Sequence, residues 1–199
     1  MIIIPARNEN LGEILVNGYI TDSSDSTLNA TLPYLTFLSP FSYRLDMTGE
    51  LIPTFNLNMD LSPAYRTMNL LTVTNLREQG GFSSDLAHSL FTDQTVQNSF
   101  INNLEQILAE GDHSGVNLDF EYVFPFDRES YNQFLQRLAE RMHQLGYLVV
   151  TALAPKISDD QQGLLYSAHD YTFHGFTADY VVLMPYEWGY TYGPALAVA

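Results

Sequence analysis

Cysteine is absent from the 199 residues. That excludes disulfides, thiol nucleophiles and cysteine-based metal sites. Basic residues are scarce, with Lys+Arg 8 against Asp+Glu 23, for a formal net charge of −15. Such a surface repels phosphate backbones and anionic lipid, so no nucleic-acid or membrane-surface partner is expected. No apolar run approaches the ~18 residues that mark a membrane span. The opening Met1-Ile2-Ile3-Ile4-Pro5 is too short for a signal-peptide core and has no basic flank, so either the protein stays in the cell or its export signal lies outside this chain. Phosphate-cradling loops, G-x-S-x-G elbows and H-E-x-x-H spacings are missing too. His88, His113, His143, His169 and His174 show no metal spacing, and neither metal nor cofactor is expected.

What is present suits one sizeable core: 46% hydrophobic residues, with 13 Tyr and 12 Phe. The apolar pattern alternates between short β-branched runs and helical stripes. Strands are expected over 14–19, 34–39, 70–74, 115–121, 147–152 and 180–186. Helices are expected over 28–32, 93–110, 129–145 and 161–168. The segment 51–63 reads as irregular, and a loop runs from Gly80-Gly81 to about Ser89. Thr92 or Asp93 can cap one long helix, which Gly111 can end, and Asp127 with Gly146 can bracket the other.

This order predicts an α/β fold with a parallel sheet and crossovers. An open doubly wound sheet and a (β/α)8 TIM barrel compete. The barrel needs eight strands and about 250 residues. The chain is therefore expected to be an incomplete barrel with about six of eight strands. Residues 1–12 read as an extension or the tail of a preceding module, and 13–199 as the partial barrel.

The chemistry concentrates in Gly115-Val116-Asn117-Leu118-Asp119-Phe120-Glu121. Side chains alternate along a strand, so Asn117, Asp119 and Glu121 share one face and Val116, Leu118 and Phe120 the other. Two carboxylates and an amide facing a barrel interior are costly unless they act on something. Mutual repulsion predicts one raised pKa, and so a proton donor near neutral pH. Glu121, at the strand's C-terminal end, is the candidate acid and Asp119 its partner. A half-exposed strand with solvent-facing acids gives the same alternation.

The segment Ser114 to Glu121 resembles the D-G-x-D-x-D-x-E signature of glycoside hydrolase family 18, a (β/α)8-barrel family of chitinases and endo-N-acetylglucosaminidases. The resemblance assigns the acid/base role to Glu121 and the partner role to Asp119. Ser114 and Asn117 replace the first and middle Asp; an amide can hydrogen-bond Asp119 but cannot take its charge. Met184-Pro185-Tyr186-Glu187 is similar to the family's M-x-Y-D, which implies that Tyr186 holds a substrate N-acetyl group and puts Glu187 in the Asp position. Val16-Asn17-Gly18-Tyr19, Leu35 to Tyr43 with Gly49 to Pro53, and Tyr186 to Tyr190 with Gly193-Pro194 are similar to the spore-cortex-lytic and spore-germination branch.

What the resemblance implies is retaining, substrate-assisted cleavage of β-1,4 links after N-acetylglucosamine in peptidoglycan, without metal or cofactor. A chitinase acting on chitin oligomers and a catalytically silent, sugar-binding member of the fold are the alternatives. The implied location is extracellular, in the cell wall or on the spore. Trp188 either stacks on a sugar ring or packs its loop. Tyr19 and Asn75, at the ends of the first and third strands, are expected at the barrel mouth as substrate contacts.

Overall fold

The computed structural model describes residues 4–5, 15–21, 25–54 and 66–185. The elements in order are β1 (Ile4–Pro5), β2 (Asn17–Ile20), α1 (Asp25–Thr31), β3 (Phe37–Pro40), β4 (Tyr43–Leu45), β5 (Leu51–Pro53) and β6 (Met68–Thr74). Then come α2 (Ser84–Thr92), α3 (Gln94–Glu110), β7 (Gly115–Asp119), α4 (Arg128–Leu145), β8 (Leu148–Leu153), α5 (Tyr171–Thr177) and β9 (Tyr180–Leu183).

Strands β2, β3, β6, β7, β8 and β9 lie side by side in that order, all parallel. Strand β4 takes over from β3 along the second half of β6, with Tyr43 opposite Val73, and forms an antiparallel hairpin with β5. Strand β1 pairs antiparallel with β9. The chain thus forms six successive parallel strands of a (β/α)8 barrel, the fold class expected from sequence. No helix among the described residues is long and apolar enough to cross a membrane.

Two apolar layers position the site. Outside the sheet, Val116, Leu118 and Phe120 pack with Phe91, Phe100, Phe134 and Leu138 of the helices. Inside it, Phe37, Leu70, Val150, Ala152, Val182 and Met184 form a second cluster. The long helices follow from their apolar stripes: Val96, Phe100, Leu104 and Leu108 of α3, and Tyr131, Phe134, Leu138 and Met142 of α4, all face inward. The Asp93 carboxylate accepts from the Thr95 N–H to start α3. Gly146, with φ 83°, ends α4 in the left-handed region.

Three local expectations change. A helix, α2, replaces the second part of the expected loop: the Ser83 hydroxyl accepts from the Leu86 N–H, and Leu86, Ala87, Leu90 and Phe91 are buried. Its nine residues are too short to stand out from a Gly/Ser-rich stretch, and packing stabilises it. The helix expected over 161–168 is absent. Those residues form turns in which Tyr166 and Ser167 N–H groups both donate to the Gly163 carbonyl. The helix sits later, at α5, where the Asp170 carboxylate accepts from the Phe173 N–H. Finally, Leu51–Pro53 is not irregular but the return strand of a hairpin whose turn is held by Asp46, which accepts from the Thr48 and Glu50 N–H groups.

Candidate active site

The alternation along β7 is realised. Asn117 and Asp119 face away from the helices, opposite Thr72 and Thr74 of β6 in register. Because both faces of a parallel barrel strand are covered, these polar groups have left water: Asn117, Thr72 and Thr74 are buried and Asp119 is 3% exposed. Glu121, two residues past Asp119 and just beyond the paired strand, is 8% exposed. The polar face is therefore an interior one, not a solvated strand.

A hydrogen-bonded network crosses the sheet below the carboxylates. The Asn117 Nδ2 donates to the Tyr19 hydroxyl (2.8 Å) and the Ser39 Oγ (3.2 Å). The Ser39 hydroxyl donates to Asn17 Oδ1 (2.8 Å). Tyr19, expected at the mouth, is thereby brought against Asn117, and its ring lies 5.4 Å from that of Phe41. Among the described residues, four buried polar atoms along this face have no protein partner: Asn17 Nδ2, Thr72 Oγ1, Asn117 Oδ1 and Asp119 Oδ1. A buried polar group without a partner costs free energy.

Electrostatics single out Asp119. Burial alone pushes its carboxyl up to about 7. Desolvation, rather than repulsion from a neighbouring carboxylate, is the cause of the rise at Asp119. Tyr131, buried behind the strand on α4, is raised by burial and by the Asp119 charge.

The backbone that carries Glu121 is held from two sides. Asn75, the residue after β6, is fully buried. Its Oδ1 accepts from the Glu121 N–H (3.0 Å), and its Nδ2 donates to the Glu121 carbonyl (2.9 Å) and the Ser83 carbonyl (2.9 Å). Asn75 was expected as a sugar contact; its carboxamide instead engages the main chain. On the other side, His169 Nδ1 accepts from the Ala154 N–H (2.9 Å), which leaves Nε2 as the donor to the Phe120 carbonyl (3.0 Å). Burial lowers His169 to about 4, so the ring stays neutral and keeps one donor and one acceptor. Just after Glu121, Tyr122 takes φ 54°, the left-handed region, and its carbonyl accepts from the Ser84 hydroxyl. Further along, the Asp127 carboxylate meets His88 Nδ1 at 2.9 Å instead of capping α4.

The sequence pattern points to Asn117, Asp119 and Glu121, and the structure brings them together with Tyr19 and Asn75. Tyr186, Glu187 and Trp188 lie outside the described residues. Ser39, Thr72, Thr74 and His169 escape the sequence reading. Thr72 and Thr74 share the period-two signal of β6, whereas nothing local marks His169.

The sequence matches Glycosyl hydrolases family 18 over residues 75–194. It is 39% identical over 182 residues to the cortical fragment-lytic enzyme of Bacillus subtilis (strain 168), covering 90% of this chain and 42% of that protein. The chain spans about two fifths of the length of the curated relatives it matches first. The fold superposes on the Bacillus cereus spore cortex-lytic enzyme SleL with a TM-score of 0.82 and 34% identity, over 92% of this chain and 44% of that one. A chitinase from Chromobacterium violaceum shares the fold with a TM-score of 0.80 at 22% identity, over 92% of this chain and 60% of that one.

Proposed function

The chain belongs to glycosyl hydrolases family 18, and from that premise we propose that it carries the catalytic centre of a spore-cortex N-acetylglucosaminidase. The observation that supports this most is Asp119: a buried, inward carboxyl with an oxygen that has no partner among the described residues, raised to about 7, two residues before Glu121. A purely structural acid at this position would be costly and unneeded. The relatives named for cortex lysis favour peptidoglycan over chitin as substrate.

In the proposed reaction Glu121 protonates the glycosidic oxygen while the substrate's own acetamido oxygen attacks the anomeric carbon. The leaving sugar departs with the proton, and a cyclic oxazolinium cation forms. Asp119 accepts a hydrogen bond from the acetamido N–H, and its ionised form stabilises that cation. Tyr186 holds the acetamido oxygen. Glu121 then takes a proton from water, which opens the ring with net retention. Asn117 cannot relay a charge, so the protonation of Asp119 is governed by burial and by the arriving cation. Glu187 and Trp188 belong to the same proposed set of substrate contacts. The proposed site of action is the spore or cell wall.

Digestion of cortex peptidoglycan beside Glu121→Gln, with new reducing ends identified by mass spectrometry, tests this. New N-acetylglucosamine ends that vanish in the variant support it. Ends from chitin alone would make the chain a chitinase, and sugar binding without cleavage would make it a silent member of the fold.

A further inference from the structure

The Phe120–Glu121 peptide unit lies beyond the reach of the sheet. The ladder on the β6 side ends with Thr74 opposite Asp119, and that on the β8 side with Leu118 opposite Thr151. The next peptide has no strand neighbour, yet it must hold Glu121 in place. It is also under load, because the chain turns at once into the left-handed Tyr122, a conformation unfavourable for a non-glycine residue.

Two side chains take over from the strands. The Phe120 carbonyl accepts from His169 Nε2, and the Glu121 N–H of the same peptide donates to Asn75 Oδ1. Asn75 Nδ2 closes a second bond on the Glu121 carbonyl. A carboxamide that both accepts from one residue's N–H and donates to its C=O mimics a strand neighbour. The two anchors are themselves fixed. Asn75 also donates to Ser83, and its carbonyl accepts from the Ser83 N–H. His169 accepts from Ala154 at the end of β8, and its carbonyl accepts from Lys156 Nζ. Both side chains are essentially buried, 0% and 1% exposed, so water does not compete for these bonds.

We propose that Asn75 and His169 are positioning residues for Glu121: together they extend the sheet by one peptide and set where the acid/base carboxyl stands. The proposal rests on the acid/base reading of Glu121. The Asn75 carboxamide and both His169 ring nitrogens are engaged by main-chain groups. Their effect is on the alignment of proton transfer, where a displacement of about 1 Å can cost roughly a hundredfold in rate.

The test uses the whole chain in three variants. Asn75→Ala removes the Glu121 clamp. His169→Gln places an amide where Nε2 lies and keeps a donor for Phe120. His169→Asn places its amide where Nδ1 lies and keeps only the Ala154 bond. Hydrogen exchange gives the first readout, with the Leu118 amide of β7 as an internal reference for global opening. Asn75→Ala should speed exchange at Glu121 at least about tenfold relative to Leu118. Turnover of a fluorogenic N-acetylglucosaminide gives the second. His169→Asn and Asn75→Ala should lose about tenfold to a hundredfold in kcat with KM nearly unchanged, while His169→Gln retains most of it.

An unchanged Glu121-to-Leu118 exchange ratio overturns the proposal. Equal kcat for His169→Asn and His169→Gln at equal thermal stability does so as well. A wild-type chain that turns nothing over leaves the exchange ratio to decide the positioning claim, and turnover by a chain carrying all eight barrel strands then tests the acid/base reading of Glu121.

Discussion

Replacing Asp119 by Asn should stabilise the protein, and by an amount that depends on pH in a defined direction. Burial lifts the Asp119 carboxyl from 3.8 in the unfolded chain to about 7 in the fold. The folded state therefore holds this proton more tightly than the unfolded state. Below pH 3.8 both states are protonated and the group is neutral in each. As pH rises from there to 7 the unfolded chain releases the proton first, and the fold loses stability until the native group ionises too. A gap of about 3 pKa units corresponds to roughly 4 kcal/mol lost by pH 8. Asparagine is nearly isosteric with the protonated acid and never ionises. The advantage of Asp119→Asn over wild type should thus be small at pH 4, about 2 kcal/mol near pH 5.5 and about 4 kcal/mol at pH 8. Urea unfolding of both proteins across this range measures it, and every other titrating group cancels in the difference. A constant offset between the two proteins from pH 4 to pH 8 would show that Asp119 is not desolvated, and the argument for its role would fall with it. The same variant should lose activity, which sets function against stability at one residue.

Glu121→Gln should keep the fold and lower kcat by about 100-fold or more, since no donor replaces the acid; a variant within about twofold of wild type in kcat would remove Glu121 from the mechanism. Gly115→Ala should unfold or strongly destabilise the chain, because its Cβ would lie 2.2 Å from the Leu148 carbonyl oxygen across the β7–β8 pair; thermal melting reads this directly. His88→Ala leaves the Asp127 carboxylate buried without its partner, for an expected loss of about 1–3 kcal/mol by denaturant titration. On the acid side, burial lowers His174 to about 3, so its contribution is present above pH 6.5 and lost as pH falls through the interval down to about 3. His174→Gln should flatten that limb of the stability profile, and an unaltered slope would show the ring to be hydrated.

Much of the site is readable from residues 115–121 because a strand translates order into side: every second residue faces one way, whatever its partners. The same holds for the stripes of α3 and α4, long enough for a 3.6-residue period to declare itself, and for the capping Asp93 and Gly146. Whether the polar face of β7 meets water or a barrel interior is not a local property. It depends on β6 and β8 covering both edges and on helices covering the other face.

The sequence by itself therefore determined the family, the parallel sheet and the polar face of β7 that carries Asn117 and Asp119. Tertiary structure decided the rest, because the deciding bonds join residues far apart in the chain. Asn117 meets Tyr19 across 98 positions, Asn75 meets Glu121 across 46, and His169 meets Phe120 across 49. No local period encodes such pairs. Helix α2 and the shift from 161–168 to α5 were likewise settled by packing and a single cap, which outweigh weak intrinsic preference in short segments. The raised pKa of Asp119 belongs to the same class: its cause is the removal of water, and only the folded barrel removes it.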